Sequence, residues 1–182
     1  MKKIVFLYTL FISTLTAAAQ DDPATAIGKL GNNPMFIIDS QKVSKSDLSK
    51  FNADSVATVV MLYDSSAVKR YGNDAKDGAV IIESRSFARR MFISFFRKSS
   101  QAYDSLYSAV GNDTSFVYII NDKIQKGNYE GNLSVINSSL FAGLEILTKE
   151  ELYSRFNITG KQFGILVHSK PPKDLYNADK KF

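Results

Sequence analysis

The chain has 182 residues, 45% of them hydrophobic, and a formal net charge of +5, and it contains no cysteine. That length suits one domain or two small units that share a core. The absence of cysteine excludes disulfides, thiolate metal sites and a cysteine nucleophile. Because the charge is mild and no long basic run occurs, nucleic acid is not an expected partner.

The N-terminus has the three parts of a secretory signal peptide. Two lysines form a positive n-region, an apolar stretch runs from Ile4 to Leu15, and Ala17–Ala19 supply small side chains for cleavage. The alternative, a buried N-terminal helix, explains fewer of these features. We predict a signal peptide over residues 1–19, a mature protein that begins at Gln20, and an N-terminal segment over 20–33.

Two further features bear on where the protein is located. The apolar stretch of the signal is shorter than the roughly 20 residues that a membrane-spanning helix needs, and no longer one follows it. No cysteine follows the signal, so the usual bacterial lipid attachment is excluded. We therefore expect an exported protein, periplasmic or associated with the outer membrane, without a transmembrane anchor.

One pattern of apolar runs and short helices occurs twice. The runs lie at Met35–Asp39, Thr58–Tyr63 and Gly78–Glu83 in the first copy, and at Val117–Asp122, Gly143–Thr148 and Gly164–Ser169 in the second. A short helical segment precedes the last run in each copy. We predict a duplication, with repeat 1 over 34–85, repeat 2 over 114–170 and a tail over 171–182.

The apolar runs are rich in β-branched residues, which is typical of strands buried on both faces by packed helices. The predicted fold class is therefore α+β: two tandem β-α-β-α-β repeats with mixed sheets, joined by an amphipathic helix. Asp64 is the expected N-cap of one helix, and Thr148 with Glu151 forms a capping box for its counterpart.

Alignment of the two copies predicts which residues are equivalent. If Gly78 is aligned with Gly164, then Ile81 is equivalent to Val167 and Ile82 to His168. In the other two strands, Ile38 is equivalent to Ile120 and Met61 to Ile146.

Between the repeats, residues 86–111 have the periodicity of a helix with a broad apolar arc. The arc includes Met91, Phe92 and Phe95, and four basic residues lie off it: Arg89, Arg90, Arg97 and Lys98. We predict that the arc packs against the protein core and holds the two repeats together. The alternative is that residues 87–98 lie on an anionic membrane surface.

The first copy, residues 34–84, resembles the plug domain of TonB-dependent outer-membrane receptors of the SusC type. The matching stretches are Pro34–Asp39, Asn52–Val56, Tyr63–Ala67, Arg70–Gly72 and Asp77–Ile82. Ser40 stands where the family usually has a turn glycine, and the second copy, over 116–170, keeps only the hydrophobic pattern. The resemblance implies the fold of the plug, without the barrel or the transport activity of those receptors.

Few residues suit catalysis, so we predict that the protein is not an enzyme and has no cofactor. His168 is the only histidine, it lies in an apolar run, and we expect it to be a packing residue. The sequence has no P-loop, no G-x-S-x-G, no G-x-G-x-x-G and no spacing typical of metal ligands.

The expected function is a non-catalytic protein-binding or assembly module whose partner is an envelope protein, such as an outer-membrane barrel. Equivalent loops of a repeat often share one face, which points to five contact residues: Arg70, Tyr71, Asn73, Arg155 and Phe156. The alternative is a small-ligand carrier or a hydrolase that uses a cleft between the repeats. Ser55 and Ser105 also fit a short D-S-apolar pattern of bacterial O-glycosylation.

Overall fold

The computed structural model describes residues 29–170, so the predicted signal peptide and tail, and most of the N-terminal segment, lie outside the described residues. Repeat 1 contains β1 (Met35–Ile38), β2 (Gln41–Val43), α1 (Lys45–Leu48), β3 (Val56–Leu62), α2 (Asp64–Tyr71) and β4 (Ala79–Ser84). Two helices follow, α3 (Arg85–Ser99) and α4 (Gln101–Val110). Repeat 2 contains β5 (Phe116–Ile120), β6 (Lys123–Ile124), α5 (Tyr129–Ser134), β7 (Phe141–Leu147), α6 (Lys149–Phe156) and β8 (Phe163–Ser169).

The two repeats have the same sheet topology. Their strand orders are β2-β1-β4-β3 and β6-β5-β8-β7, and in each sheet the two central strands are parallel while both edge strands are antiparallel. The third strand of each repeat even carries a bulge at the equivalent place, between Val56 and Thr58 and between Phe141 and Gly143. The predicted α+β fold with two mixed-sheet repeats is confirmed.

Strand register gives the residue-level correspondence between the repeats. Ile38 pairs with Ile82 and Ile120 pairs with Val167, so Ile82 rather than Ile81 is the counterpart of Val167. The predicted equivalence of Ile81 and Val167 is therefore wrong by one residue, and the counterpart of His168 is Glu83 rather than Ile82. The other two predicted matches agree with the register.

The two glycines that align in the sequence, Gly78 and Gly164, have different structural roles. Gly78 precedes its strand with φ of +91°, and a Cβ there would lie 2.9 Å from the carbonyl oxygen of Leu62. Gly164 lies inside β8, where a Cβ would meet the Leu152 side chain at 2.5 Å. The first glycine serves a turn and the second a close packing contact, so they are not equivalent positions.

A hydrogen-bonded clamp closes each repeat at the same point. In repeat 1, the Ser84 amide donates to Asp39 Oδ1 at 2.7 Å, and its hydroxyl donates to Asp39 Oδ2 at 2.6 Å. In repeat 2, the Ser169 amide donates to Asn121 Oδ1 at 2.9 Å. Each clamp ties the turn after the first strand to the end of the last strand. Ser40, in the turn after β1, has a left-handed φ of 68°.

The connection between the repeats consists of two helices instead of the single helix predicted over 86–111. The break falls at Ser100, whose backbone is extended and whose hydroxyl accepts from the Tyr103 amide at 3.2 Å. A serine that caps the next helix in this way offers the backbone an alternative to continuing the first one. Ser84 caps α3 by the same kind of bond, to the Phe87 amide.

The aromatic arc of α3 forms the core of repeat 2. Phe92 and Phe96 are fully buried, and the Phe92 ring meets the Tyr118 ring edge-on at 5.2 Å. Met91 is 50% exposed, so its predicted position in the core is wrong. It lies at the margin of the arc, where the helix surface turns toward solvent.

Repeat 2 contacts repeat 1 where α5 packs against the start of β3. The Asn128 side-chain amide donates to the carbonyl oxygens of Val56 and Ala57, at 3.0 and 3.3 Å. A Cβ on Gly131 would lie only 2.5 Å from the Ala57 oxygen, so helix and strand are in direct backbone contact. The repeats are therefore closely packed at this point and leave no cleft there.

Candidate functional site

The predicted contact residues at the ends of α2 and α6 form two equivalent stacks. The Arg70 guanidinium lies 5.4 Å from the Tyr71 ring centroid, and Arg155 lies 5.5 Å from Phe156. Both rings are half-buried against their own repeat, while both arginines and Asn73 are exposed. Among residues 29–170, no described contact joins the two stacks. Each stack is thus a packed ring under a solvent-facing arginine, and the two do not form one cluster.

The two serines of the O-glycosylation pattern have different surroundings. Ser55 is half-buried and donates to the Asn52 carbonyl oxygen at 2.6 Å. Ser105 is exposed on α4.

His168 is exposed rather than packed, which corrects the sequence-based expectation. Its side chain is 49% exposed, and its Nε2 lies 3.9 Å from Glu145 Oε2. Its counterpart Glu83 is half-buried and accepts hydrogen bonds from the Thr58 hydroxyl at 3.3 Å and from the Ser134 hydroxyl of α5 at 3.4 Å. Within residues 29–170, no group of three His, Asp or Glu side chains is placed to hold a metal ion.

The edge strand β3 differs from the other sheet edges. Its seven residues carry no charge, and Val59 and Val60 are 50% and 43% exposed. Val59 lies opposite Ile82 and Val60 opposite Ile81, so the two valines are on opposite faces of the sheet. Because α5 covers the start of the strand, the uncovered edge runs from Val59 to Leu62 and presents apolar side chains on both faces.

Each of the other three edge strands carries a charge or is very short. Lys42 of β2 forms a 3.1 Å ion pair with Asp74, and β6 has two residues, one of them Lys123. In β7, the counterpart of β3, Glu145 forms a 2.7 Å ion pair with Arg155. Charges of this kind commonly keep sheet edges from pairing with other chains, and β3 lacks them.

A buried polar network in repeat 2 was not predicted from the sequence. Tyr103 donates to Tyr118 at 2.8 Å, Tyr118 donates to Asp113 Oδ2 at 3.0 Å, and Arg89 pairs with Asp113 Oδ1. Arg89 also donates to the Tyr129 hydroxyl at 2.7 Å. Asp113 is only 4% exposed, and burial of such a carboxylate requires the partners that it has here.

Repeat 2 contains a second buried carboxylate, Glu130, which pairs with Arg85. Glu130 is 6% exposed and accepts from Arg85 through both oxygens, at 3.1 and 3.3 Å. Burial is the largest single influence on Arg89 and lowers its pKa, but the charges and hydrogen bonds of Asp113 and Tyr129 together outweigh burial and raise the pKa overall, so the guanidinium stays charged. Burial also raises the pKa of Tyr118 and Tyr103, so both hydroxyls keep their protons.

Two concave regions lie near α3, and neither lies between the repeats. One, of about 360 Å³, is next to the polar network and is called the Arg89 cavity; it is lined in part by Arg89, Thr114, Lys126, Gly127, Tyr129 and Lys161. The other, of about 480 Å³, is an open groove along α3 and α4 beside Arg90, Arg97 and Lys98.

Comparison with known proteins gives no relative: no family model, no curated protein and no solved structure matches the chain. No helix within residues 29–170 is long and apolar enough to span a bilayer.

Proposed function

We propose that the protein is an exported, non-catalytic binding or assembly module of the bacterial envelope that captures another protein along the β3 edge. The observation that carries this proposal is the uncharged edge from Val59 to Leu62, with exposed valines on both faces. Strand addition needs unpaired backbone groups for affinity and flanking side chains on both faces for specificity. The partner segment is an extended, apolar strand, because it must cover Val59 on one face and Val60 on the other.

An outer-membrane protein is the proposed source of that segment. The signal peptide expected over residues 1–19 and the resemblance of residues 34–84 to receptor plug domains both support a location in the envelope. The rival function, a carrier or hydrolase with its site in a cleft between the repeats, is less well supported. Gly131 packs directly on Ala57, so the contact between the repeats is filled where such a cleft would open.

Affinity purification from detergent-solubilised envelopes tests this proposal. The tagged protein should retain one envelope protein in a fixed ratio, and the double variant Val59→Lys with Val60→Lys should lose it, because lysines at an edge oppose strand pairing. Tyr153→Lys is the matched control, since Tyr153 is 61% exposed on α6, away from β3. Equal retention by wild type, double variant and control would contradict the proposal.

A further inference from the structure

The Arg89 cavity is distinct from the β3 edge, and its lining differs in chemistry. Its side chains come from four places in the chain: α3, the start of repeat 2, the segment from Gln125 to the start of α5, and the loop between α6 and β8. We infer that this cavity binds a small organic anion, in which a carboxylate or phosphate group is attached to an apolar ring or chain.

In the Arg89 cavity, the carboxylate oxygens of Asp113 already have hydrogen-bond partners, whereas the Tyr129 hydroxyl can still donate to a ligand. Both oxygens of Asp113 are already occupied, by Arg89 and Tyr118. Tyr129 accepts from Arg89, and among the described residues its own O–H has no acceptor. Burial raises the pKa of Tyr129, so the hydroxyl keeps its proton and can donate. A ligand that satisfies this hydroxyl must therefore supply an acceptor atom.

The charges that line the cavity favour a negative ligand. Arg89, Lys126 and Lys161 are cationic, and Asp113 is the anionic residue among the lining side chains. Lys161 donates to the Thr114 carbonyl oxygen at 2.7 Å, and that neutral partner leaves its positive charge uncompensated. Because the Arg89 charge is balanced by Asp113, the lysines provide the net attraction for a carboxylate or phosphate.

Aromatic side chains form one wall of the cavity and indicate that the rest of the ligand is apolar. Phe116 and Tyr118 line the cavity with Tyr129, and the rings of Tyr118 and Tyr129 lie 5.7 Å apart. The volume of about 360 Å³ is near the lower end of the roughly 300–1,000 Å³ of ligand pockets, and it is large for a bare inorganic ion. A small molecule with one charged group and one ring or short chain fits both the size and the lining.

Amide chemical shifts, titrated by NMR, test this inference with four probes: benzoate, phenyl phosphate, inorganic phosphate and the uncharged benzyl alcohol. Benzoate or phenyl phosphate should cause saturable shifts at the amides of Thr114, Gly127 and Tyr129. Inorganic phosphate should bind more weakly than phenyl phosphate, because it does not cover the aromatic wall. Benzyl alcohol should cause no saturable shift, because it does not complement the lysines.

Two variants separate ligand contacts from folding. Tyr129→Phe removes only the hydroxyl and keeps the ring, and Lys126→Met removes an exposed charge; each should weaken binding about tenfold or more. The controls Tyr153→Phe and Lys149→Met alter the same residue types away from the cavity and should bind as wild type. Absence of saturable shifts with both aromatic anions, equal binding of benzyl alcohol, equal binding of the two phosphates, or unchanged affinity in both variants would each overturn the inference.

Discussion

Replacing Gly131 by alanine tests the packing between the repeats by the sign of its effect. Glycine inside a helix is usually less stable than alanine by roughly 1 kcal/mol, so an unconstrained Gly131→Ala change should stabilise the protein. Here the new Cβ would lie 2.5 Å from the Ala57 oxygen and 3.0 Å from Thr58 Cγ2. The nearer atom is backbone, so relief requires α5 to move away from β3. Overpacking of this kind costs roughly 1–3 kcal/mol. After the gain in helix propensity is subtracted, the net expectation is a loss of stability of up to about 2 kcal/mol.

Urea unfolding measures this change through the transition midpoint, provided that the slope of the transition is unchanged. Gly143→Ala is the control, because Gly143 lies in β7 beside the equivalent bulge and a Cβ there meets nothing within 4 Å. It should change stability by no more than about 0.5 kcal/mol. A Gly131→Ala protein that is more stable than wild type would refute direct backbone packing between the repeats.

Four further predictions concern the core, the tyrosine network, the lone histidine and the N-terminus. Phe92→Ala should lower the free energy of unfolding by about 3–5 kcal/mol in the same urea assay, because the ring is 1% exposed; a loss below about 1 kcal/mol would place the ring outside the core. Burial raises the pKa of Tyr103 and Tyr118 above 10.0, so their contribution to stability is complete below about pH 10 and is lost as pH rises further, when the unfolded chain ionises first. Tyrosinate absorbance should therefore show two tyrosines that ionise only on unfolding, whereas smooth ionisation of every tyrosine in the folded protein would contradict the buried network. The His168→Ala variant should still retain the envelope partner, and its stability should change by no more than about 0.5 kcal/mol, because the side chain is half exposed. A His168→Ala protein that folds but no longer retains the partner would show that His168 takes part in binding. Intact mass of the exported protein should correspond to a start at Gln20, which lies outside the described residues, and a mass that includes residues 1–19 would remove the export argument.

Local and periodic features were predictable from the sequence. The Thr148–Glu151 capping box is present with both of its hydrogen bonds, because such a cap depends only on residues three positions apart. The Asp64 cap is wrong: the helix begins at Asp64, and its N-cap is Tyr63. The duplicated strands were visible because apolar runs of strand length recur in the same order.

Features that depend on strand order or on distant pairs were not predictable. Arg89 and Asp113 are 24 residues apart, and Arg85 and Glu130 are 45 apart, so no spacing pattern marks either pair. Nor does the apolar run of β3 reveal that it is an edge, because a run of this kind is equally typical of a central strand. Sheet order decides this, and it follows from the pairing of the whole repeat.

The central claim, that β3 pairs with an extended strand of an envelope protein, is tested most directly by site-specific photo-crosslinking in intact cells. A photoreactive residue at Val60 should crosslink to a single outer-membrane protein, through a segment that mass spectrometry identifies as an apolar strand. The same group at Tyr153, on the exposed surface of α6, should give no such product. Crosslinking of the same protein from both positions, or from neither, would contradict binding along the β3 edge.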